Sequence, residues 1–263
     1  MKAAIYLAMF AATACLCRAD VVPLKSDFNY SGEKYQATMC RNGYFKEIKS
    51  GGTTLFSGLE LNGFYVPEGK TATQKLHMWS ASNSPTAEME DLGGKKVKIT
   101  VNGTLSGKEA TNAASYTQTA VFTPDQLTIR YQITINQPMK ANQEFFLTHG
   151  DMPMNLFLDH GSAITAKNGK RALSVPAVYT EYKDRVLREV KQLAFSLDSS
   201  VFSVDMAGEN NYLKIVDGRQ HGGKDMIFFC GPVRAWRSTP YDYTAGTVFD
   251  WTVTLSFKAF DKE

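Results

Sequence analysis

Histidine and aspartate occur together at two places in the middle of the sequence. His149 and Asp151 follow the apolar segment 145–147, and Asp159 and His160 come shortly afterwards. Residues two apart in an extended chain project to the same face, so the imidazole of His149 and the carboxylate of Asp151 would meet at one ligand. Such a pair can move protons near neutral pH. The pattern predicts His149 and Asp151 as catalytic residues and His160 as a ligand contact. The alternative is that these polar side chains cap the ends of strands and have no role in binding or catalysis.

A second polar cluster, residues 217–223, places aspartate, arginine and histidine between glycines. The guanidinium of Arg219 presents fixed donors that suit carboxylates or neighbouring hydroxyl groups. His221 carries an imidazole, the side chain most often used for acid–base catalysis, which makes it a candidate catalytic residue. The alternative is a glycine-rich hairpin loop in which Asp217 and Arg219 form a surface ion pair. The residues alone favour neither interpretation over the other.

Aromatic side chains beside arginine are typical of sugar-binding loops. Arg234 and Trp236 lead to two tyrosines around Pro240, and Trp79 follows a histidine and a methionine. Apolar faces of sugar rings pack on flat aromatic rings, while nearby polar groups orient the hydroxyls. We therefore predict Arg234, Trp236 and Trp79 as ligand-binding residues, together with Arg219. The competing interpretation is that the indole rings fill the edge of the core.

The elements that must position these groups are strands. Apolar residues alternate with polar ones in 127–135, in 97–101 and again in 249–257, which is the period of a sheet with one buried face. Asn42 and Gly43 lie between two such runs and predict a hairpin with a type I′ turn. The pattern gives about 14–17 strands at the spacing of stacked antiparallel sheets. We predict an all-β fold, a large antiparallel β-sandwich.

One segment is ambiguous between helix and strand. In residues 182–193, Val186, Val190 and Leu193 follow a helical spacing, but alternation through 190–197 fits a strand equally well. We therefore expect at most one or two short helices. No repeat or low-complexity tract divides the chain, so we predict a single domain over residues 20–263.

The N-terminal residues 1–19 have the organisation of a secretory signal peptide. Lys2 precedes an apolar stretch that is too short to span a bilayer, and the segment ends in the small residue Ala19. Residues 12–15 loosely resemble a bacterial lipobox, so lipid attachment at Cys15 is a second route. No later stretch is apolar enough for a transmembrane span. We expect an exported protein, periplasmic, on the outer surface or secreted.

Cysteine usage adds a prediction about covalent structure. Of the four cysteines, Cys15 and Cys17 lie in the predicted signal peptide, which leaves Cys40 and Cys230. An exported protein can keep a disulfide, and a sandwich often brings its first and last strands together, so we predict a Cys40–Cys230 bond. The alternative is two buried free thiols.

The opening hairpin also resembles a known family. Residues 35–48 form a strand, an Asn-Gly turn and a second strand, followed by Gly51-Gly52 and the apolar pair Leu55-Phe56. This order resembles the start of galactose mutarotase-like supersandwich domains, and the later strands fall in a similar order. The resemblance implies carbohydrate as the ligand class, since the family includes sugar-ring epimerases and related domains of polysaccharide lyases and glycoside hydrolases. The family's early Asn-His-aromatic motif and its late glutamate base have no counterpart here.

Three functions follow as hypotheses. The first is an exported, carbohydrate-associated β-sandwich that binds a glycan through a loop-lined face. The second is a sugar epimerase or glycan-cleaving enzyme that uses a histidine as acid or base, so whether the protein is an enzyme is left open. The third is a structural or adhesion protein of the cell envelope. A formal charge of +3 gives no reason to expect a nucleic acid partner. No metal-ligand spacing is present, so we expect neither metal nor cofactor.

Overall fold

The computed structural model describes residues 21–78, 84–142, 146–166, 169–198, 200–232 and 239–259. These residues form twenty strands, one short α-helix and one 3-10 helix. The strands are β1 (Val21–Pro23), β2 (Phe28–Ser31), β3 (Gln36–Met39), β4 (Phe45–Ser50), β5 (Thr53–Tyr65), β6 (Gln74–His77), β7 (Thr86–Gly93), β8 (Lys96–Leu105), β9 (Ala114–Thr123), β10 (Gln126–Ile135), β11 (Met139–Ala141), β12 (Phe146–Met152), β13 (Gly161–Ala166), β14 (Gly169–Leu173), β15 (Val186–Ser196), β16 (Ser200–Ala207), β17 (Tyr212–Asp217), β18 (Met226–Gly231), β19 (Tyr241–Tyr243) and β20 (Val248–Ala259).

The strands build two antiparallel layers. One layer has the order β16-β20-β10-β9-β8-β7-β1, and the other has the order β17-β18-β12-β5-β4-β3-β2. Strand β15 pairs with β16 and with β17, so it joins the two layers. With β6 beside β5, β13 beside β15 and β14 beside β13, the connected strands form one 18-stranded sheet. Strands β11 and β19 form a separate pair. The predicted all-β sandwich is confirmed.

The apolar faces of the layers enclose a single core. Along β10, buried Leu127, Ile129 and Tyr131 alternate with more exposed neighbours, as the period of two requires. Aromatic rings connect the layers: Tyr35 beside β3 stacks on Phe257 of β20 with 4.3 Å between ring centroids. Because each inner face is lined by apolar side chains, the opposite faces carry the polar residues.

The number of strands exceeds the 14–17 predicted, because three-residue strands are too short to leave a periodic pattern. β1, β11 and β19 are of this kind. The Asn42-Gly43 hairpin is present, but its turn differs from type I′. Only Gly43 has a positive φ, +89°, and its N–H donates to the Cys40 carbonyl at 2.9 Å. A type I′ turn would need a positive φ at both central residues.

The ambiguous segment is a strand, β15. Its core-facing residues Leu187, Val190 and Leu193 are three apart rather than two. The register shifts at 187–190 against β17 and again near Val190 against β13. Each bulge inserts a residue and delays the next inward side chain. Two bulges in one strand therefore imitate a helical spacing.

Helical structure in the described residues is confined to α1 (Met154–Asp159) and the 3-10 helix Gly218–His221. This agrees with the prediction of at most one or two short helices. None of the helices in the described part of the chain could cross a membrane. The predicted signal peptide and Cys15, the candidate for lipid attachment, lie outside the described residues.

The predicted disulfide is wrong in this structure, in which Cys40 and Cys230 are both free thiols. Cys230 lies on β18, is fully buried and faces Thr148 and Leu213 on the strands at either side. Cys40 lies at the partly exposed turn between β3 and β4. The first and last strands belong to the sandwich as expected, but these two positions are not neighbours in the pairing. Burial raises the pKa of the Cys230 thiol to about 12, so it is protonated at neutral pH.

Candidate functional site

Four neighbouring strands place one side chain each at the same level of the sheet, an amine, an aromatic ring, an imidazole and a carboxyl group. Lys214 on β17 is paired with Phe229 on β18, Phe229 with His149 on β12, and His149 with Glu60 on β5. The next residues along these strands, such as Leu213, Cys230 and Leu61, are buried in the core. The four therefore project from the opposite, outer face. We call Lys214, Phe229, His149 and Glu60 the polar row.

The carboxyl group of Glu60 is the centre of the contacts at one end of the polar row. Its Oε1 accepts hydrogen bonds from Asn62 Nδ2 at 3.0 Å and from Lys75 Nζ at 3.1 Å. His149 Nδ1 lies 3.8 Å from the same oxygen. The Glu60 side chain is only 13% exposed, so its position is fixed by these neighbours rather than by solvent. A fixed carboxyl group beside an imidazole is suited to binding hydroxyl groups or to proton transfer.

The environment keeps His149 uncharged at neutral pH. Burial lowers the pKa of His149 to about 4, and the positive charge of Lys75 acts in the same direction, while Glu60 opposes both. Burial and Lys75 also lower the pKa of His77, which pairs with Asn62 across β5 and β6. A neutral imidazole has one donor and one acceptor nitrogen. His149 can therefore exchange hydrogen bonds with a neutral ligand.

Asn62 contributes an unused acceptor next to this group. Its side chain is fully buried, and its Oδ1 has no hydrogen-bond partner among the described residues. Leaving a buried carbonyl oxygen without a partner is unfavourable by about 1–3 kcal/mol. The group around Glu60 thus has hydrogen-bonding capacity that its own contacts do not satisfy.

The other half of the polar row combines a ring with a cation. The ring of Phe229 lies between its neighbours: Lys214 Nζ is 5.1 Å from its centroid on one side and the His149 ring is 5.1 Å away on the other. Lys214 is only 9% exposed, and its ammonium lies close enough for a cation–π contact. The row thus offers apolar surface and polar groups side by side, as sugar-binding surfaces do.

Asp151 lies on the same outer face, two residues after His149, as the sequence predicted for an extended chain. Its cross-strand neighbours are Ser57 on β5 and Ile227 on β18. Burial raises the pKa of Asp151, and the negative charge of Asp225 raises it further. The structure thus places two of the predicted catalytic residues, His149 and Asp151, together.

His160 lies elsewhere, in an open polar hollow of about 810 Å³ below the row. It follows the last residue of α1, and Asp159, Asp198 and Asp225 line the same hollow. Ser57 also lines it and is the cross-strand neighbour of Asp151, so the hollow adjoins the outer face. His160 is therefore near the candidate site but is not part of the polar row.

The guanidinium of Arg219 forms hydrogen bonds within the fold and does not line an open binding face. Its guanidinium donates to both carboxylate oxygens of Asp217 and to the carbonyl oxygens of Pro176 and Ala177. Tyr182 also donates to Asp217, at 3.1 Å. We call Asp217, Arg219 and Tyr182 the Asp217 latch, because it ties residues 176–182 to the end of β17. The surface pair considered from the sequence is instead a buried one, since Asp217 is fully buried.

His221 ends the 3-10 helix that follows Asp217 and is exposed. The three remaining predicted ligand contacts, Trp79, Arg234 and Trp236, lie outside the described residues. The predicted set therefore divides: His149 and Asp151 share one face, whereas Arg219 and His221 follow the last residue of β17, Asp217, and lie outside the polar row.

Sequence reasoning missed Glu60, Lys75, Lys214 and Phe229. One signal was available, because Glu60 and Lys214 are charged residues with a buried apolar residue on each side in the sequence. A charge in such a run faces away from the core and has a specific environment. In the described part of the chain, no group of three or more His, Cys, Asp or Glu residues is placed to hold a metal ion.

Comparison with known proteins gives likeness of structure only. No family model matches the sequence. No curated protein sequence matches it either.

Among solved structures, a galactose mutarotase related enzyme from Lactobacillus acidophilus superposes with a TM-score of 0.52 at 11% identity, covering 90% of this chain and 99% of that one. A galactose mutarotase-like protein from Clostridium acetobutylicum gives 0.51 at 10% identity, covering 92% and 99%. The α-galactosidase from Lactobacillus brevis gives 0.50 at 8% identity, covering 89% of this chain and 39% of that one. At these identities the likeness establishes the fold and not the activity. The chain has the galactose mutarotase-like supersandwich fold.

Proposed function

We propose that the protein binds a carbohydrate on the outer face of β17, β18, β12 and β5, at the polar row. The observation that carries the proposal is the in-register placement of Lys214, Phe229, His149 and Glu60, an aromatic ring flanked by hydrogen-bonding groups. The proteins of similar structure are named for galactose mutarotase and α-galactosidase, which is consistent with a sugar ligand. The unused acceptor of Asn62 beside Glu60 adds capacity for hydroxyl groups.

The test is calorimetric binding of sugars and oligosaccharides to the full chain lacking residues 1–19. His149→Ala removes the central imidazole, so we expect affinity to fall about tenfold, the equivalent of 1.4 kcal/mol. His221→Ala tests the sequence prediction, and its effect should be small because His221 is exposed outside the row. Absence of binding by the wild-type chain, or a larger loss from His221→Ala than from His149→Ala, would refute the proposal.

A second candidate is an enzyme that exchanges sugar anomers. It is favoured by the 3.8 Å approach of a neutral imidazole to the Glu60 carboxyl group. In that reaction a base removes the proton of the anomeric hydroxyl, the bond between C1 and the ring oxygen breaks, and the ring oxygen accepts a proton. Glu60, as the carboxylate paired with Lys75, would accept the proton of the anomeric hydroxyl, and neutral His149 would donate its ring N–H proton to the ring oxygen; both protons return when the ring closes.

Polarimetry on freshly dissolved aldoses measures this activity directly. A rate above the buffer-catalysed rate, lost in both His149→Ala and Glu60→Gln, would support the enzyme. If the protein binds sugar but does not accelerate anomer exchange, it is a sugar-binding protein and not this enzyme.

We also propose that the protein acts outside the cytoplasm after removal of residues 1–19. The support is the charged start, apolar middle and small final residue of that segment. Intact mass of the protein recovered from cell fractions tests it. A chain beginning at Asp20 is expected, a lipid adduct on Cys15 would identify the anchored form, and a cytoplasmic chain retaining residues 1–19 would contradict export.

A further inference from the structure

The polar row continues onto β15, where a bulge faces Lys214. Leu187 is paired with Ile215 and Val190 with Leu213, so the two residues between them on β15 face the single residue Lys214 on β17. These two residues are Arg188 and Glu189. Both are exposed, although side chains in a regular strand alternate between faces. The bulge therefore presents a cationic and an anionic side chain together beside Lys214.

The backbone at this bulge is in an unfavourable conformation. Glu189 has a φ of +55°, in the left-handed region that residues other than glycine seldom adopt. Such conformations persist where surrounding structure imposes them, and bulges often direct side chains beside binding sites. The bulge is thus a candidate part of the binding face.

At the opposite end, Tyr44 extends the row beyond Glu60. A Cβ atom at position 58 would lie 2.9 Å from the Tyr44 hydroxyl oxygen, so the phenol lies directly over Gly58 on β5. The φ of Gly58 is +79°, which also favours glycine there. Burial raises the pKa of Tyr44, followed by the negative charges of Glu60 and Asp151, in keeping with a position on the same face.

The row with both extensions crosses six strands, from β15 to the start of β4. Adjacent strands lie about 4.8 Å apart, so the five intervals span about 24 Å, the length of about four linked pyranose rings. One free sugar would contact only the residues around His149 and would leave the bulge unused. The polar groups are distributed along this line, across the strands, and include both signs of charge.

We propose that the site binds an extended oligosaccharide lying across the strands, with Arg188 and Glu189 contacting its far end. The inference rests on the proposed carbohydrate function and adds the size and direction of the ligand. The linear spacing of hydrogen-bonding side chains matches repeated hydroxyl groups along a glycan chain. Arg188 and Glu189 act as specificity residues, since they contact only units far from His149.

Binding of a chain-length series tests the proposal. The probes are α-1,4-linked glucose, β-1,4-linked glucose and α-1,4-linked galacturonic acid oligomers of one to six units, measured by calorimetry with the full chain lacking residues 1–19. In the series that binds, we expect affinity to rise with each unit up to about four, because each added ring reaches a further strand of the row. Affinity that does not change beyond one unit would overturn the inference while leaving the proposed function intact.

Two variants test whether Arg188 and Glu189 contact the end of the oligosaccharide that lies away from His149. Arg188→Ala should lower hexamer affinity about tenfold and monosaccharide affinity far less. Glu189→Gly removes the side chain but suits the positive φ, so the fold is preserved while the contact is lost. Lys258→Ala is the matched control, since it removes an exposed cation from β20 in the other layer.

Equal losses for monosaccharide and hexamer in Arg188→Ala would overturn the assignment of the far end. Absence of binding by every oligomer of every length would overturn the proposed function together with this inference, and so is distinct from the other outcomes.

Discussion

The Asp217 latch and the side chains around Glu60 both lie on the layer that contains β17, yet Asp217 has several hydrogen-bond partners whereas Asn62, beside Glu60, keeps a buried oxygen without one among the described residues. In the latch, Asp217 accepts from Tyr182, from the Arg219 guanidinium and from the Arg219 backbone N–H. The remaining Arg219 donors reach two backbone carbonyls. A buried group that is fully satisfied in this way holds the fold together.

Asn62 and His149, next to Glu60, differ from the latch in this respect. His149 Nδ1 is 3.8 Å from Glu60, longer than a hydrogen bond, and Asn62 Oδ1 is without a partner in the described part of the chain. A buried acceptor beside partly exposed side chains is a group that a ligand can satisfy. The difference separates a structural cluster from a candidate binding site, although the sequence offered residues of both, Arg219 and His149, as candidates.

The largest effect that would sharpen this contrast is on folding stability. Asp217→Asn removes the charge opposite Arg219, and breaking a buried pair in this way costs about 3–5 kcal/mol of unfolding free energy. Urea unfolding followed by fluorescence measures it. Sugar affinity of the folded fraction should stay unchanged, since Asp217, three residues after Lys214 on β17, projects to the opposite face of the sheet. A stable variant with lost binding would reverse the roles assigned to the two clusters.

Acid should affect the two clusters in separate pH windows. His149 has its pKa lowered from 6.5 to about 4, so the unfolded chain takes up a proton that the folded chain refuses. Stability is then present above about pH 6.5 and falls between about 6.5 and 4, by about 3 kcal/mol at most. For Asp217, burial favours a higher pKa but the hydrogen bonds from Arg219 outweigh it and lower the pKa, so its contribution is lost only below about pH 4.

Thermal unfolding across this pH range distinguishes the two contributions. His149→Gln should remove most of the loss between about pH 6.5 and 4, since His77 contributes the smaller remainder, and should leave the loss at lower pH unchanged. If His149→Gln and the wild type lose stability in parallel over the higher window, the buried environment assigned to His149 is wrong.

A moderate effect is expected on binding alone. Phe229→Ala removes the ring between Lys214 and His149, so affinity for a bound sugar should fall about tenfold, while its partial exposure keeps the loss of stability small. Val178→Ala, which truncates a 78% exposed side chain outside the row, is the control for both measurements. A large loss of stability without loss of affinity would show that Phe229 stabilises the fold and does not bind the sugar.

The smallest effect on stability is expected at an exposed cluster of hydrogen-bonded side chains around Asp250. Asp250 accepts hydrogen bonds from Arg130 and Gln132 on the outer face of the other layer. Exposed pairs contribute little because solvent screens them, so Asp250→Asn should leave the unfolding midpoint in urea within experimental error. A shift as large as that of Asp217→Asn would show that hydrogen bonds to the carboxylate stabilise the fold whether or not they are buried. Burial would then not explain the stability that the latch provides.

Much of the fold followed from local pattern. Strand β10 was predicted because Leu127, Ile129 and Tyr131 alternate with polar residues, and alternation reports directly on one buried face. β15 could not be assigned, because its bulges depend on pairing with β13 and β17 and shift the inward positions. The Cys40–Cys230 bond failed for a related reason, since pairing order and not position near the chain ends decides which residues meet.

The sequence anticipated one part of the candidate site's geometry. His149 and Asp151 could be placed on one face because both lie on one strand, where a separation of two fixes a common face. Glu60 and Lys214 are about 90 and 65 residues from His149 along the chain, so no local pattern joins them to it. Arg219 was predicted as a ligand contact. Its guanidinium donates to the carbonyl oxygens of Pro176 and Ala177, which lie more than 40 residues away along the chain, so no local pattern could reveal these hydrogen bonds.

The amino-acid sequence by itself determined that the chain forms strands, which face of each is apolar, and that histidine and aspartate share a face at 149 and 151. These follow from the backbone period of two and the cost of burying polar groups. Only the tertiary structure decided that β5, β12, β17 and β18 are neighbours, so that Glu60, His149, Phe229 and Lys214 form one line. Strand order is set by packing the whole core at once, and the side chains that meet on its outer face are a consequence of that packing.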